Sequence, residues 1–113
     1  MTWILALIGV VFGFAAFVTF DSIVMLQHAQ HRAEWEADGR PVGFFGGPDT
    51  RMTWFQFDRV FVRSVVFFRW CFVTPAWACP DAGARQLLRR YRACVVVANL
   101  ALIALAVQGI VLR

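Results

Sequence analysis

The sequence contains no lysine, and charged residues of any kind make up only 16% of it. The eleven basic side chains other than histidine are all arginine, against seven acidic ones, which gives a net charge of +4. Hydrophobic residues make up 60% of the 113 positions. A chain this short buries too small a share of its surface to hide that much apolar area from water. We therefore expect a single membrane domain that is partly covered by lipid.

Recognisable catalytic patterns are also missing. No serine, cysteine or carboxylate group has a catalytic spacing. The uncharged runs 3–20 and 94–112 contain no histidine, so neither a haem within the bilayer nor a proton relay is expected. Cys71, Cys79 and Cys94 fit no C-x-x-C spacing and predict reduced thiols. The sequence therefore predicts a protein that is not an enzyme and holds no cofactor.

The arginines indicate the kind of partner. In a soluble protein an excess of basic over acidic residues would suggest nucleic acid as the binding partner. Here the arginines border apolar segments, so anionic lipid headgroups are the expected partner and nucleic acid is not. The predicted headgroup contacts are Arg59, Arg63, Arg69, Arg85, Arg89 and Arg92.

Two segments are predicted to cross the membrane. Residues 3–26 suffice for a hydrocarbon core of about 30 Å, and the helix is expected to continue to residue 38, before Gly39 and Pro41. A signal peptide is the alternative, but no basic residue precedes the run and residues 20–22 make a poor cleavage site. The second helix is predicted over residues 82–112, with Asp81 as its N-cap.

Small and amide side chains in both spans predict helix-packing faces. Gly9 and Gly13 form a G-x-x-x-G pattern, which lets another helix approach closely. Asn99 and Ala101 mark the corresponding face of the second span, since polar groups in lipid usually bond to another helix. The alternative for the glycines is simple membrane-helix composition.

Residues 51–73, between predicted loops at 39–50 and 74–81, are less clearly assigned. Eleven Phe and Val favour insertion by about 0.3 to 0.6 kcal/mol each, whereas four charged residues near the centre cost about 2.5 to 3.5 kcal/mol each. A third span is therefore disfavoured, and an amphipathic helix in the cytoplasmic interface is predicted. Val62, Val66 and Trp70 fall on its polar arc, where they could pack on a second protein.

Aromatic residues in and around the loops predict interfacial anchors or contacts with a partner protein. They are Phe44, Phe45, Trp54 and Trp77. A metal site through His28 and His31, which stand at i and i+3, is a minor alternative. Two histidines supply at most half of a zinc shell, and a solvated helix with freely titrating histidines accounts for them as well.

The charges also predict the topology. Ten of the eleven arginines lie between the two spans, and only Arg113 follows the second. The positive-inside rule then places the central region in the cytoplasm and both termini on the outer side of the membrane. The predicted fold is an all-α integral membrane protein with two transmembrane helices joined by a cytoplasmic region that includes an amphipathic interfacial helix.

In outline the chain resembles universal stress protein B, a family of small bacterial inner-membrane proteins. The resemblance rests on the Gly43-Phe44-Phe45 loop, the aromatic and basic stretch 54–63, and the arginine-rich entry to the final span (Arg85, Arg89, Arg90 and Arg92). It implies a stress- or stationary-phase-linked protein of the bacterial inner (cytoplasmic) membrane with no defined catalytic residues. In that membrane the topology predicted from the charges makes both termini periplasmic.

Three functional hypotheses remain open at the level of the sequence. The leading one is a small accessory subunit that packs against and stabilises a larger bacterial membrane complex, respiratory or photosynthetic, or a homo-oligomer. The second is a free-standing stress protein that acts on the bilayer through its arginines. The third is a juxtamembrane metal-binding protein.

Overall fold

The computed structural model describes residues 2–45 and 57–112, with side chains described at 2–45 and 61–112. Within these residues all regular secondary structure is helical. The elements in chain order are α1 (Thr2–Gln30), α2 (Arg32–Ala37), α3 (Phe57–Phe72), a short 3-10 helix (Ala76–Ala78) and α4 (Ala82–Val111). Helices α1 and α4 are long and apolar enough to cross a membrane, in line with the predicted all-α class and its two candidate spans.

Helices α1 and α4 lie side by side in opposite directions. Towards one end of the pair, a Cβ atom on Gly9 would lie 3.7 Å from the Cβ of Ala101. At the other end, His31 Nε2, just beyond α1, lies 3.0 Å from Asp81 Oδ2, just before α4. Residue numbers therefore rise along one helix as they fall along the other, and the pair is antiparallel.

Small side chains form the seam between the two long helices. Ala16, Ala98 and Ala101 are buried, and Gly9 faces Ala101. Since small residues let two backbones approach closely, van der Waals contact can hold the pair together without large interlocking side chains. Gly13 lies outside this seam, because a Cβ at that position would meet nothing within 4 Å.

The first helix is shorter than the sequence predicts. Its expected extension to residue 38 is interrupted at His31, whose dihedral angles (φ −133°, ψ 53°) are not helical. The short helix α2 then packs back on α1, where Gln27 Nε2 donates to Asp38 Oδ2 over 2.7 Å. The bend buries Trp35, whose indole N–H donates to the carbonyl of Pro41 over 2.9 Å. The bend thus accompanies two contacts that helix periodicity does not predict, the burial of Trp35 and the pairing of His31 with Asp81.

The hydrophobic core lies where α1 ends and α4 begins, towards one end of the pair. Phe20 is fully buried there, and its ring contacts the rings of Trp70 and Phe67 from α3 and Tyr91 from α4. The core is completed by small and aliphatic side chains from all these elements. Its buried members are Phe20, Ile23, Val24, Val66, Trp70, Trp77, Ala78, Ala84, Leu88 and Tyr91.

Helix α3 has an orientation that its sequence periodicity alone does not predict. Val66 and Trp70, which fall on the expected polar arc, are buried in the core, and Val62 packs against that core from the same side. Contacts with Phe20 and Trp77 explain this inward face, since the rings of both lie near that of Trp70. The core of this chain therefore occupies the place where the sequence suggested a second protein.

We expect a leucine at Gly9 to force α1 and α4 apart, since its side chain would collide with Ala101. Overpacking of this kind costs about 1 to 3 kcal/mol. Gly13→Leu is the matched control, because it brings the same gain in helix propensity but points into open space. The free energy of unfolding in mixed micelles measures the difference. Equal stabilities of the two variants would contradict the described helix pair.

Candidate membrane and partner interface

The outer side of α3 carries a row of large apolar side chains, which we call the α3 stripe. It consists of Phe61, Val65, Phe68 and Phe72, with exposed fractions of 70%, 47%, 65% and 84%. Their spacing of four, three and four residues places them on one face of a helix. Because the opposite face of α3 is buried in the core, this helix is apolar on two sides.

A groove lies between the last turns of α3 and the part of α4 where its apolar run begins. Its volume is about 530 Å³. Apolar side chains form most of its walls, while Arg92 and Asn99 contribute polar groups. The lining residues are Phe67, Phe68, Cys71, Phe72, Arg92, Val95, Val96, Asn99 and Leu100.

Arg92 joins the two helices that flank this groove. Its Nε donates to the carbonyl of Trp70 over 3.0 Å, and its Nη2 donates to Thr74 Oγ1 over 3.1 Å. The last carbonyls of a helix lack partners within the helix, so Arg92 satisfies one of them at the end of α3. The neighbouring Tyr91 hydroxyl donates to the carbonyl of Phe67 and lies 3.3 Å from Cys71 Sγ. α4 thereby fixes the position of α3.

The six arginines predicted at lipid headgroups have different surroundings. Arg92 has the structural role just described, and the Arg63 guanidinium lies 4.3 Å from the ring centre of Phe44. Arg69, Arg85 and Arg89 point outwards, where headgroups can reach them. The side chain of Arg59 lies outside the described residues.

Phe44 and Phe45 were predicted to contact the membrane or a partner, and the structure separates them. Phe44 packs within the chain, 4.4 Å from the ring of Phe17. Phe45 is 61% exposed, with its ring 5.0 Å from that of Phe14. The carboxylate of Asp21 holds both in place, since its oxygens accept hydrogen bonds from the backbone N–H groups of Phe44 (2.6 Å) and Phe45 (2.8 Å).

Trp77 requires a correction. It was predicted as an interfacial or partner contact, but it is only 7% exposed and packs against Trp70 and His31. A ring already covered by its own chain cannot anchor a partner. Trp54, the fourth aromatic residue in that prediction, lies outside the described residues.

The helix-packing residues also differ in their surroundings. Gly9 and Ala101 meet across the α1–α4 seam, whereas Gly13 has no neighbour within 4 Å. Asn99 is exposed, and its Nδ2 donates to the carbonyl of Val95 in its own helix over 2.7 Å. Within the described residues, Asn99 therefore makes no bond across to another helix.

The two histidines lie in different surroundings. The His28 ring packs edge-on against Trp35, with 4.6 Å between ring centres, and His31 pairs with Asp81. The described part of the chain contains no group of three or more His, Cys, Asp or Glu side chains able to hold a metal ion. Cys71, Cys79 and Cys94 are all free thiols, and Cys79 is exposed.

Asp81 joins the bend after α1 to the start of α4. As the sequence predicts, it caps α4, with its Oδ1 accepting from the Ala84 N–H over 3.2 Å. The hydrogen bond with His31 is the largest cause of a lowered pKa for this carboxyl group, and the Ala84 N–H lowers it further. This contact was not predicted, because residues 31 and 81 are far apart in sequence.

Two features important for binding are missing from the sequence predictions. One is the groove, which depends on the relative positions of α3 and α4. The other is the second apolar face of α3, since the sequence predicts one apolar face towards the membrane interface and places Val66 and Trp70 on the polar side. Its spacing is visible in the sequence, but periodicity does not say which of two apolar faces the chain covers itself.

Comparison of the chain with protein-family models, with curated proteins and with solved structures finds no match.

We expect Asp81 to make the stability of the fold depend on pH in the acid range. Because its pKa is lower in the fold than the ordinary value of 3.8, its contribution is complete above 3.8 and is lost as the pH falls through the lower folded value. Asp81→Asn keeps a good N-cap but removes the charge. Thermal unfolding followed by circular dichroism from neutral pH to below 3.8 should show a flatter acid limb for this variant. Parallel curves for variant and wild type would refute the contact with His31.

Proposed function

We propose that the protein is a small, non-catalytic accessory subunit that packs against a larger protein of the bacterial inner membrane through the α3 stripe. The observation that carries this proposal is the two-sided character of α3. One side is buried in the core through Val66 and Trp70, and the other presents Phe61, Val65, Phe68 and Phe72 outwards. Contiguous apolar side chains that are exposed in this way mark a surface that lipid or another protein covers.

The composition of the stripe favours a protein partner. Three of its four residues are phenylalanine, and aromatic residues are enriched at protein interfaces relative to the rest of the surface. They protrude from a helix held by the core and by Arg92, so little conformational entropy is lost when a partner covers them. A pre-ordered surface of this kind lowers the cost of association.

The proposed placement in the membrane follows the charges and the helix directions. α1 and α4 span the bilayer, α3 lies at the cytoplasmic interface, and both termini are periplasmic. This is supported by the antiparallel pair, which brings the junction of His31 with Asp81 to one end, and by the ten arginines between the spans.

Cys79 is a natural reporter of this topology, because it is exposed and lies between α3 and α4. In a variant with Cys71→Ala and Cys94→Ala, a membrane-impermeant maleimide should label Cys79 in inside-out vesicles and not in right-side-out spheroplasts. The Cys79→Ala version of the same protein controls for background labelling. Labelling in spheroplasts alone would contradict a cytoplasmic central region.

We expect the double substitution Phe61→Ala and Phe68→Ala to remove a stoichiometric protein partner after purification in mild detergent. Hot-spot aromatic residues cost about 2 kcal/mol or more each when truncated, so the complex should weaken at least a hundredfold. Leu102→Ala with Ile103→Ala is the control, since both are 58% exposed but lie on α4 away from the stripe. Native mass analysis reads out the complex. Wild-type protein that purifies without any partner would contradict the proposal.

A second candidate function is a free-standing, stress-related protein that acts on the bilayer. The observation in its favour is that Arg69, Arg85 and Arg89 point outwards, as headgroup contacts require. It predicts no stoichiometric protein partner, so the same purification distinguishes the two candidates.

A further inference from the structure

The groove between α3 and α4 combines two chemical characters along its length. At one end lies Arg92, which follows a series of arginines at the start of α4. From there the groove runs along α4 past Val96 to Leu100, which at ~1.5 Å per residue is about 12 Å into the apolar segment. Its walls on the α3 side are three phenylalanine rings and the Cys71 side chain. A cation at the mouth and apolar walls below match a molecule with an anionic head and a hydrocarbon tail.

Arg92 is suitably held to bind an anion. Its Nε and Nη2 are bonded to Trp70 and Thr74, which fixes the guanidinium. Within the described part of the chain, its Nη1 has no hydrogen-bond partner, and guanidinium groups bind phosphate through such donors. The outward-facing Arg89 and Arg85 stand about one and two turns before it on α4 and add positive charge on the same side.

The volume of the groove indicates which kind of molecule fits. An α-helix with side chains is about 10 to 12 Å across, so the space of about 530 Å³ would hold roughly one turn of a partner helix. A single acyl chain is narrower and flexible, and can follow the groove. The size therefore favours a lipid chain over a protein segment.

We propose that this groove binds one anionic phospholipid. Its phosphate bonds to Arg92, and one acyl chain lies between Phe68 and Phe72 on one side and Val96 and Leu100 on the other. Asn99 lines the groove about two turns further along α4, and its Nδ2 donates to the carbonyl of Val95. The proposal rests on the membrane insertion of α4 proposed above, and it shares Phe68 and Phe72 with the α3 stripe.

The proposal is tested on the purified full chain, which is delipidated and returned to mixed micelles of phosphatidylglycerol or phosphatidylcholine. Native mass spectrometry then counts the phospholipids retained per protein. We expect one phosphatidylglycerol to stay bound, with phosphatidylcholine retained at least tenfold less. Labelling of Cys79 in vesicles reports insertion separately, so that failure of lipid binding and failure of the proposed topology are distinguishable.

Substitutions in the groove locate the site. Val96→Trp fills the groove without touching the core and should reduce retention at least tenfold. Val107→Trp is its control, because Val107 is 53% exposed, against 55% for Val96, and lies outside the groove. Arg92→Gln should lower the preference for the anionic lipid, and Arg92→Lys should restore part of it. If the Arg92 variants fail to fold, the comparison of Val96→Trp with Val107→Trp still tests whether the lipid binds in the groove.

Three outcomes would overturn the proposal. They are wild-type protein that retains no phospholipid, equal retention of phosphatidylglycerol and phosphatidylcholine, and equal retention by the Val96→Trp and Val107→Trp variants.

Discussion

Phe20 is the side chain on which the arrangement of helices depends. It is fully buried, and its ring lies 5.4 Å from those of Phe67 and Trp70, 5.5 Å from that of Phe44 and 6.0 Å from that of Tyr91. These rings come from three other parts of the chain. Aromatic pairs at such distances stabilise beyond the area they bury. The cluster therefore fixes α3 and the segment after α2 on a helix pair that otherwise meets mainly through small side chains.

This core determines which apolar surface stays outside. Because Trp70 and Val66 are drawn towards Phe20, the α3 stripe must face away, and because Arg92 is bonded to the end of α3, a groove remains beside α4. The two proposed binding surfaces thus have one structural cause. A protein partner suits the broad stripe, while a lipid chain suits the narrow groove.

The sequence predicts what depends on neighbouring residues, and misses what depends on distant ones. The start of α4 after Asp81 and the presence of two apolar helices long enough to cross a membrane follow from local patterns, and both agree with the structure. The bend at His31 does not, because it depends on its pairing with Asp81 fifty residues away. Trp77 was likewise predicted to be an interfacial anchor, because the residues that cover it, His31 and Trp70, belong to other elements of the fold. The sequence shows that a tryptophan side chain favours burial, but it does not show that the side chain is buried by this chain itself.

The antiparallel contact between α1 and α4, which we propose to lie within the membrane, is the feature on which both proposed binding surfaces depend. It is tested most directly by Gly9→Cys with Ala101→Cys in a variant without the native cysteines, since the Cβ distance of 3.7 Å falls in the range for a disulfide. Mild oxidation in membranes should form an intramolecular bond, whereas the control pair at Gly13 and Ala101 should not. Absence of the bond at Gly9, or its formation only between two chains, would contradict the account.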